Sequence, residues 1–297
     1  MGNCYGVCNT FRESAAEIFK LLSKAERLRM AINEETITEI ILLGIADFHS
    51  GRDLEIRSYT KAEEGRGTNS TKGKATGADW SFWFCDNHGK GIEIRIQAKK
   101  LFKSGEYDSL NGSGSQINNL IKNRGLAIPL YVFYNSNLEC LYRHADYLFY
   151  HDFPFYRDLD FGCTYAPVTA IPSKKKPSPK DITVMFPWHY LVCKKSCSSF
   201  RLGSCDVVNS ESLPQRVASA VKSAYEASFL FGNSEASSEK IKETIAEFSF
   251  ELRDVTPTWV ESLELQSDDS SVNKKIELYL KEHGLRGVCV IKEIMPG

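Results

Sequence analysis

Two hydrophobic periods alternate along the chain, and the points where they change mark its elements. In residues 14–30, Ile18, Leu21, Leu22, Ala25 and Leu28 recur three or four apart, which places them on one stripe of a helix. Asn33 is a good N-cap for a second helix over residues 34–48, with Ile37, Ile40, Ile41, Gly44 and Ile45 facing inward. Glu35 and Glu39, four apart, share another of its faces. The period then shortens to two. Residues 54–60 predict a strand, and residues 79–85 and 92–101 predict two more, joined by the turn residues at 86–91 into a hairpin. A helix over 116–123 leads to a short apolar strand at 129–134. Residues 182–193 read as a strand and its exit. Residues 213–231, 238–248 and 274–283 read as helices, and residues 288–294 as a last strand. Residues 65–77, rich in Gly, Ser and Thr with three cations, predict a flexible basic loop. Residues 171–181, with three Pro and four Lys, predict a linker. The aromatic-rich stretch at 142–161 predicts a lid or partner surface, with no specific chemistry attached.

Strands and helices in this alternation predict an α/β fold, a mixed β-sheet flanked by helices. The hairpin is antiparallel, and the helix after it crosses over to a parallel strand. The organisation expected is an N-terminal helical segment at 1–32, an α/β core at 33–205 and a mostly helical C-terminal region at 206–297 packing on it. A length of 297 residues suits one to two domains. No run reaches the roughly 18 apolar residues that span a bilayer. Without an apolar leader at the N-terminus, the expected location is the cytoplasm, with no membrane association.

Charge adds a qualification. The formal net charge of −1 argues against a uniformly basic nucleic-acid binder. Its distribution is uneven: residues 89–103 carry five cations against Glu93, residues 171–180 carry four lysines, and residues 234–270 carry ten acids and three bases. Contact with a phosphate backbone is therefore expected locally, near the hairpin. Nine cysteines and no leader predict reduced thiols. Cys4-x3-Cys8 and Cys193-x3-Cys197-x7-Cys205, with His189 nearby, have zinc-ligand types but not the usual spacing, so buried or incidental thiols are the expectation.

The hairpin carries the candidate chemistry. Alternation puts Ile92, Ile94, Ile96 and Ala98 on one face and Glu93, Arg95, Gln97 and Lys99 on the other. The first strand is aromatic on both faces, which predicts a covered strand, and an Asp heading it needs a partner or a metal. Reflection about the turn sets position 79 opposite 97, 98 or 99. Pairing with 97 or 99 gathers Asp79, Gln97 and Lys99 on one face, and pairing with 98 separates them. A carboxylate, an amide oxygen and an amine together suit Mg²⁺ and the hydrolysis of a phosphodiester. The bland alternative is a structural salt bridge on a sheet face.

Gly77-Ala78-Asp79-Trp80, followed by Gln97-Ala98-Lys99-Lys100-Leu101, resembles the D…(D/E/Q)xK signature of restriction-endonuclease-like (PD-(D/E)XK) nucleases. More closely, it is similar to a bacterial family of unknown function with a GADW…QAK pattern. Further matching pieces are Glu35-Thr36-Ile37-Thr38, the Gln116-Ile117…Leu120-Ile121 helix, residues 129–135, Gly162-Cys163 and residues 187–193. The resemblance implies a restriction-endonuclease-like core and a nuclease dependent on Mg²⁺ or Mn²⁺, acting on DNA, with a role in anti-phage defence. It implies Asp79, Gln97 and Glu35 as metal ligands, the Ala98 carbonyl as a further one, and Lys99 as the catalytic lysine. Glu35 is preferred to Glu39 as the helix acid. Glu64, preferred to Glu63, is a second acidic candidate. Gln116, Lys100 and Arg95 are the expected substrate contacts. Gln97 is neutral where most such nucleases carry a carboxylate, which predicts weaker metal binding. That departure motivates the alternative of a non-catalytic binding module on the same fold, and an RNase is a third reading. Cutting two strands commonly takes two active sites, so a homodimer is compatible with the reading.

Overall fold

In the computed structural model, the described residues are 7–49, 54–60, 78–107, 110, 115–136, 158–193, 211–231, 243, 246, 248–264 and 270–294. They form a seven-stranded mixed sheet flanked by helices. The elements are α1 (Val7–Arg27), α2 (Glu34–His49), β1 (Leu54–Thr60), β2 (Trp80–Cys85), β3 (Gly91–Lys100), α3 (Ser115–Lys122), β4 (Ile128–Tyr134), β5 (Cys163–Pro167), β6 (Phe186–Pro187), α4 (Leu213–Phe231), α5 (Thr258–Glu264), α6 (Ser270–His283) and β7 (Gly287–Glu293). The strand order is β1-β7-β2-β3-β4-β5-β6. β2 and β3 pair antiparallel, and β3-α3-β4 is the expected parallel crossover. The basic loop at 65–77, Glu63, Glu64, most of 142–161, most of the helix expected at 238–248, and Cys4, Cys197 and Cys205 lie outside the described residues.

β7, the last strand expected from the sequence, lies inside the sheet and not at its edge. The C-terminal region supplies a strand that runs between β1 and β2, antiparallel to the first and parallel to the second. The close approach this needs is made at Gly287, where a Cβ would meet the Trp80 ring. Val288, Cys289 and Ile291 are fully buried there.

The sheet is covered on both faces. Trp80, Phe82 and Phe84 are buried with Ile92, Ile94 and Ile96 on one face; Trp83 is buried on the other. α2 lies over the first of these, with Thr38 Oγ1 and Tyr134 Oη 2.5 Å apart. Its buried stripe is Ile37, Thr38, Ile41, Leu42, Ile45 and His49, so Leu42 faces inward and Ile40 and Gly44 face out. α1 starts earlier than expected because Val7, Thr10, Phe11 and Ser14 extend its buried face, and Leu28, beyond the helix end, is exposed.

Two further expectations change. Residues 171–181 are folded onto the core: Ile171, Pro177 and Pro179 are buried, and Tyr107 N–H donates to the Pro177 carbonyl at 2.8 Å. Asp181 caps a short 3-10 turn by accepting from Ser178 N–H and Oγ. The strand expected at 182–193 is only Phe186–Pro187, at the sheet edge, because Pro187 has no N–H to continue a ladder; a 3-10 turn, Trp188–Leu191, follows. Cys8 and Cys193 are joined in a disulfide where reduced thiols were expected, while Cys85, Cys163 and Cys289 are free and buried.

Candidate active site

The register decides the first question. Trp80 pairs with Ile96 and Cys85 with Gly91, which sets Asp79 opposite Gln97. A tight connection enforces this pairing: Asp86 N–H donates to the Lys90 carbonyl, the Asp86 carboxylate accepts from His88 and Lys90 N–H, and Gly89 takes the positive φ of 77° that the turn requires. Asp79, Gln97 and Lys99 therefore share a face.

Asp79 is held from three sides. Ala98 N–H donates to its Oδ2 at 3.0 Å, and the Gln97 side-chain amide donates to the same oxygen. Arg286, just before β7, lies with Nε 3.3 Å from Oδ1. The backbone carbonyl of Asp79 accepts from Arg286 N–H at 2.8 Å and Gly287 N–H at 3.3 Å, so the start of β7 is pinned to this residue. Burial raises the Asp79 carboxyl to about 7. The Ala98 N–H bond and the Lys99 charge oppose that rise, and the Glu34 charge adds to it.

α2 points its N-terminus at the same place, and Asn33 begins it, its carbonyl accepting from Ile37 N–H. Both acids of the first turn take part, a placement the helix dipole favours. Glu35, the expected helix acid, pairs with the Arg286 guanidinium, which thereby bridges the Asp79 and Glu35 carboxylates. Glu34, which the sequence did not single out, accepts from Lys100 N–H at 3.0 Å and lies 4.0 Å from the Lys99 ammonium. Glu39, further along, is exposed.

The expected substrate contacts separate. Gln116 Nε2 donates to Gln97 Oε1 at 2.7 Å, which joins α3 to the site. Lys100 lies on the opposite face of β3, its ammonium donating to the Ile32 carbonyl at 2.7 Å and standing 5.3 Å from the Phe102 ring centre. Arg95 is buried, with Nη1 on the Asn123 carbonyl and Nη2 on the Tyr279 hydroxyl. That places it in an internal polar network with Glu93, Ser81 and Arg253 rather than on a surface open to a ligand. The basic cluster read from residues 89–103 is thus partly spent inside the protein.

The donor set fits a hard cation. Asp79, Glu35, the Gln97 amide oxygen and the Ala98 carbonyl are all oxygen ligands of the kind Mg²⁺ and Mn²⁺ take. A guanidinium cation already lies between two of the carboxylates.

Comparison with known proteins adds a family. The profile described as "Family of unknown function (DUF6615)" matches residues 7–293. No curated protein and no solved structure matches the chain.

Proposed function

The chain belongs to DUF6615, and from the geometry around Asp79 we propose that it is a metal-dependent nuclease with a restriction-endonuclease-like core, hydrolysing phosphodiester bonds in DNA. The observation that carries this reading is the hairpin register, which puts a buried carboxylate, an amide and a lysine side by side at the N-terminus of an acidic helix. The β2–β3 hairpin, the α3 crossover and parallel β4 support the same core. A role against foreign DNA rests on family analogy alone.

Asp79, Glu35, Gln97 and the Ala98 carbonyl would hold Mg²⁺ or Mn²⁺. When bound, the ion supplies an acidified water and offsets charge on the phosphate. For Asp79 and Glu35 to serve as ligands, Arg286 must release both. Its side chain is 54% exposed, and the anion of a bound strand would compete for it. Gln97 now offers its N–H to Asp79 and its oxygen to Gln116. Ligation asks it to turn the amide over, and Gln116 must turn with it to keep their hydrogen bond. Lys99, nine-tenths buried beside Glu34, would hold the attacking water or the charged phosphate. A homodimer would supply a second site for a second strand.

Purified protein with Mg²⁺ or Mn²⁺ should cut DNA. Asp79→Ala and Lys99→Ala, checked by circular dichroism to be folded, should lose about 10²–10³-fold in rate. Cutting that persists at the parent rate in both variants removes the assignment. Transfer RNA and single-stranded DNA assayed in parallel separate an RNase from a DNase. The neutral Gln97 and the bridging Arg286 favour one second reading, a non-catalytic binding module. Metal-independent retention of DNA without cleavage, across several metals, would select it.

A further inference from the structure

We propose that Cys8, His189 and Cys193 form a zinc site that clamps α1 onto the Trp188–Leu191 turn. Their ligand atoms all lie within 4.8 Å of one another. Cys8 stands in the first turn of α1. Cys193 N–H donates to the His189 carbonyl at 3.0 Å, so these two residues are one helical turn apart and project to the same side. Phe11 stacks on Trp188 with ring centres 5.4 Å apart, which fixes the helix against the turn beside the cluster. His189 and Cys193 are buried, and Cys8 is half-buried.

A disulfide uses two sulfurs and has no need of a third donor. Here an imidazole nitrogen lies within 4.8 Å of both. Two thiolates and an imidazole are the soft and borderline ligands that select zinc, and no carboxylate among the described residues joins the group to favour a hard cation. In reduced form, the buried Cys193 thiolate without a cation would be costly, and a divalent ion offsets its charge and that of half-buried Cys8. No fourth His, Cys, Asp or Glu among the described residues belongs to the cluster.

The structure has the sulfurs bonded to each other. Loading the site therefore begins with reduction. A dithiol reductant gives two electrons and two protons, the S–S bond breaks, and the reductant closes its own disulfide. Each thiol then releases its proton to solvent as its sulfur binds zinc. The site shares no residue with the Asp79 cluster, so it stands or falls apart from the nuclease reading.

The test is metal content of the full chain. Reduced with a dithiol, incubated with zinc and desalted, the protein should retain about one zinc per chain by mass spectrometry of the elements. Cys8→Ser, Cys193→Ser and His189→Ala should each abolish retention. Since these substitutions can also unfold the chain, reduced wild-type protein is titrated with Co²⁺ as well. A sulfur-to-cobalt charge-transfer band is expected, which a carboxylate site cannot produce. Absence of zinc and of that band in reduced wild-type protein overturns the proposal and leaves a plain disulfide. Metal and band both retained by folded Cys8→Ser would overturn it equally, by placing the ion elsewhere.

Discussion

With its carboxyl raised to about 7 by burial, Asp79 is divided between neutral and ionised forms at neutral pH. The raised value means that the folded chain holds a proton which the unfolded chain releases from its ordinary value of 3.8. Folding is then favoured at the acid end, and this contribution is lost as pH rises from about 4 to about 7. Asp79→Asn, permanently neutral, should flatten that part of a plot of melting midpoint against pH; an unchanged slope would mean that another group sets it. The proposed metal binding would have the opposite dependence, because a ligand carboxylate must be ionised, so affinity for Mg²⁺ should rise with pH through about 7 with release of a proton, measurable by calorimetry in buffers of different ionisation heat. At this scale the sequence was informative where alternation and turn counting applied. Asp79, Gln97 and Lys99 followed from period two, with an ambiguity of one residue that the connection at 86–90 resolves. Glu34 was passed over because its neighbour carried the family resemblance. Arg286 had no local signal at all: what brings it to Asp79 is a strand pairing across most of the chain.

Elements obey the same distinction between local and distant causes. The α2 boundaries were legible because a cap, two first-turn acids and an apolar period agree. The segment at 171–181 folds where its composition predicts a linker, because Pro and Lys report on local chain preference and say nothing about the Tyr107 N–H that meets Pro177. Pro187 did carry a signal, since a proline in a strand marks an edge or an end, and it explains why β6 stops at two residues. Gly287 looks ordinary in sequence, yet its missing side chain is what allows β7 to lie against Trp80. Gly287→Val should therefore force the ring or the strand to move and destabilise the protein by about 1–3 kcal/mol, read as a shift of the denaturant midpoint. The same substitution should weaken the proposed metal binding, since Gly287 N–H and Arg286 N–H both hold the Asp79 backbone.

For the whole molecule, the sequence set a boundary at 206, with a mostly helical region beyond it packing on the core. The sheet does not divide there. Deleting residues 287–297 takes out a strand with a neighbour on each side and leaves β1 and β2 facing a gap. We expect such a truncation to lose its cooperative melting transition and to aggregate in size-exclusion chromatography, where a dispensable tail would leave both unchanged. The charge pattern also looks different in three dimensions. Arg95 and Lys100 are engaged with the protein itself, and Lys90 pairs with Asp254 at 3.1 Å. The net charge of −1 thus belongs to a molecule whose hairpin offers fewer free cations than its sequence suggests.

The central place of β7 also sets a clock. Roughly 200 residues separate it from β2, and at about 5–20 residues per second their synthesis takes on the order of 10–40 s. Through that interval a nascent chain has made every other strand of its sheet, while β1 and β2 wait without the partner that joins them. Arg286 and the amide pair that fixes the Asp79 backbone emerge only with β7. A chain released early carries Asp79, Gln97 and Lys99 without Arg286 and without the amides that hold the Asp79 backbone. Completion of the Asp79 cluster is therefore tied to completion of the sheet.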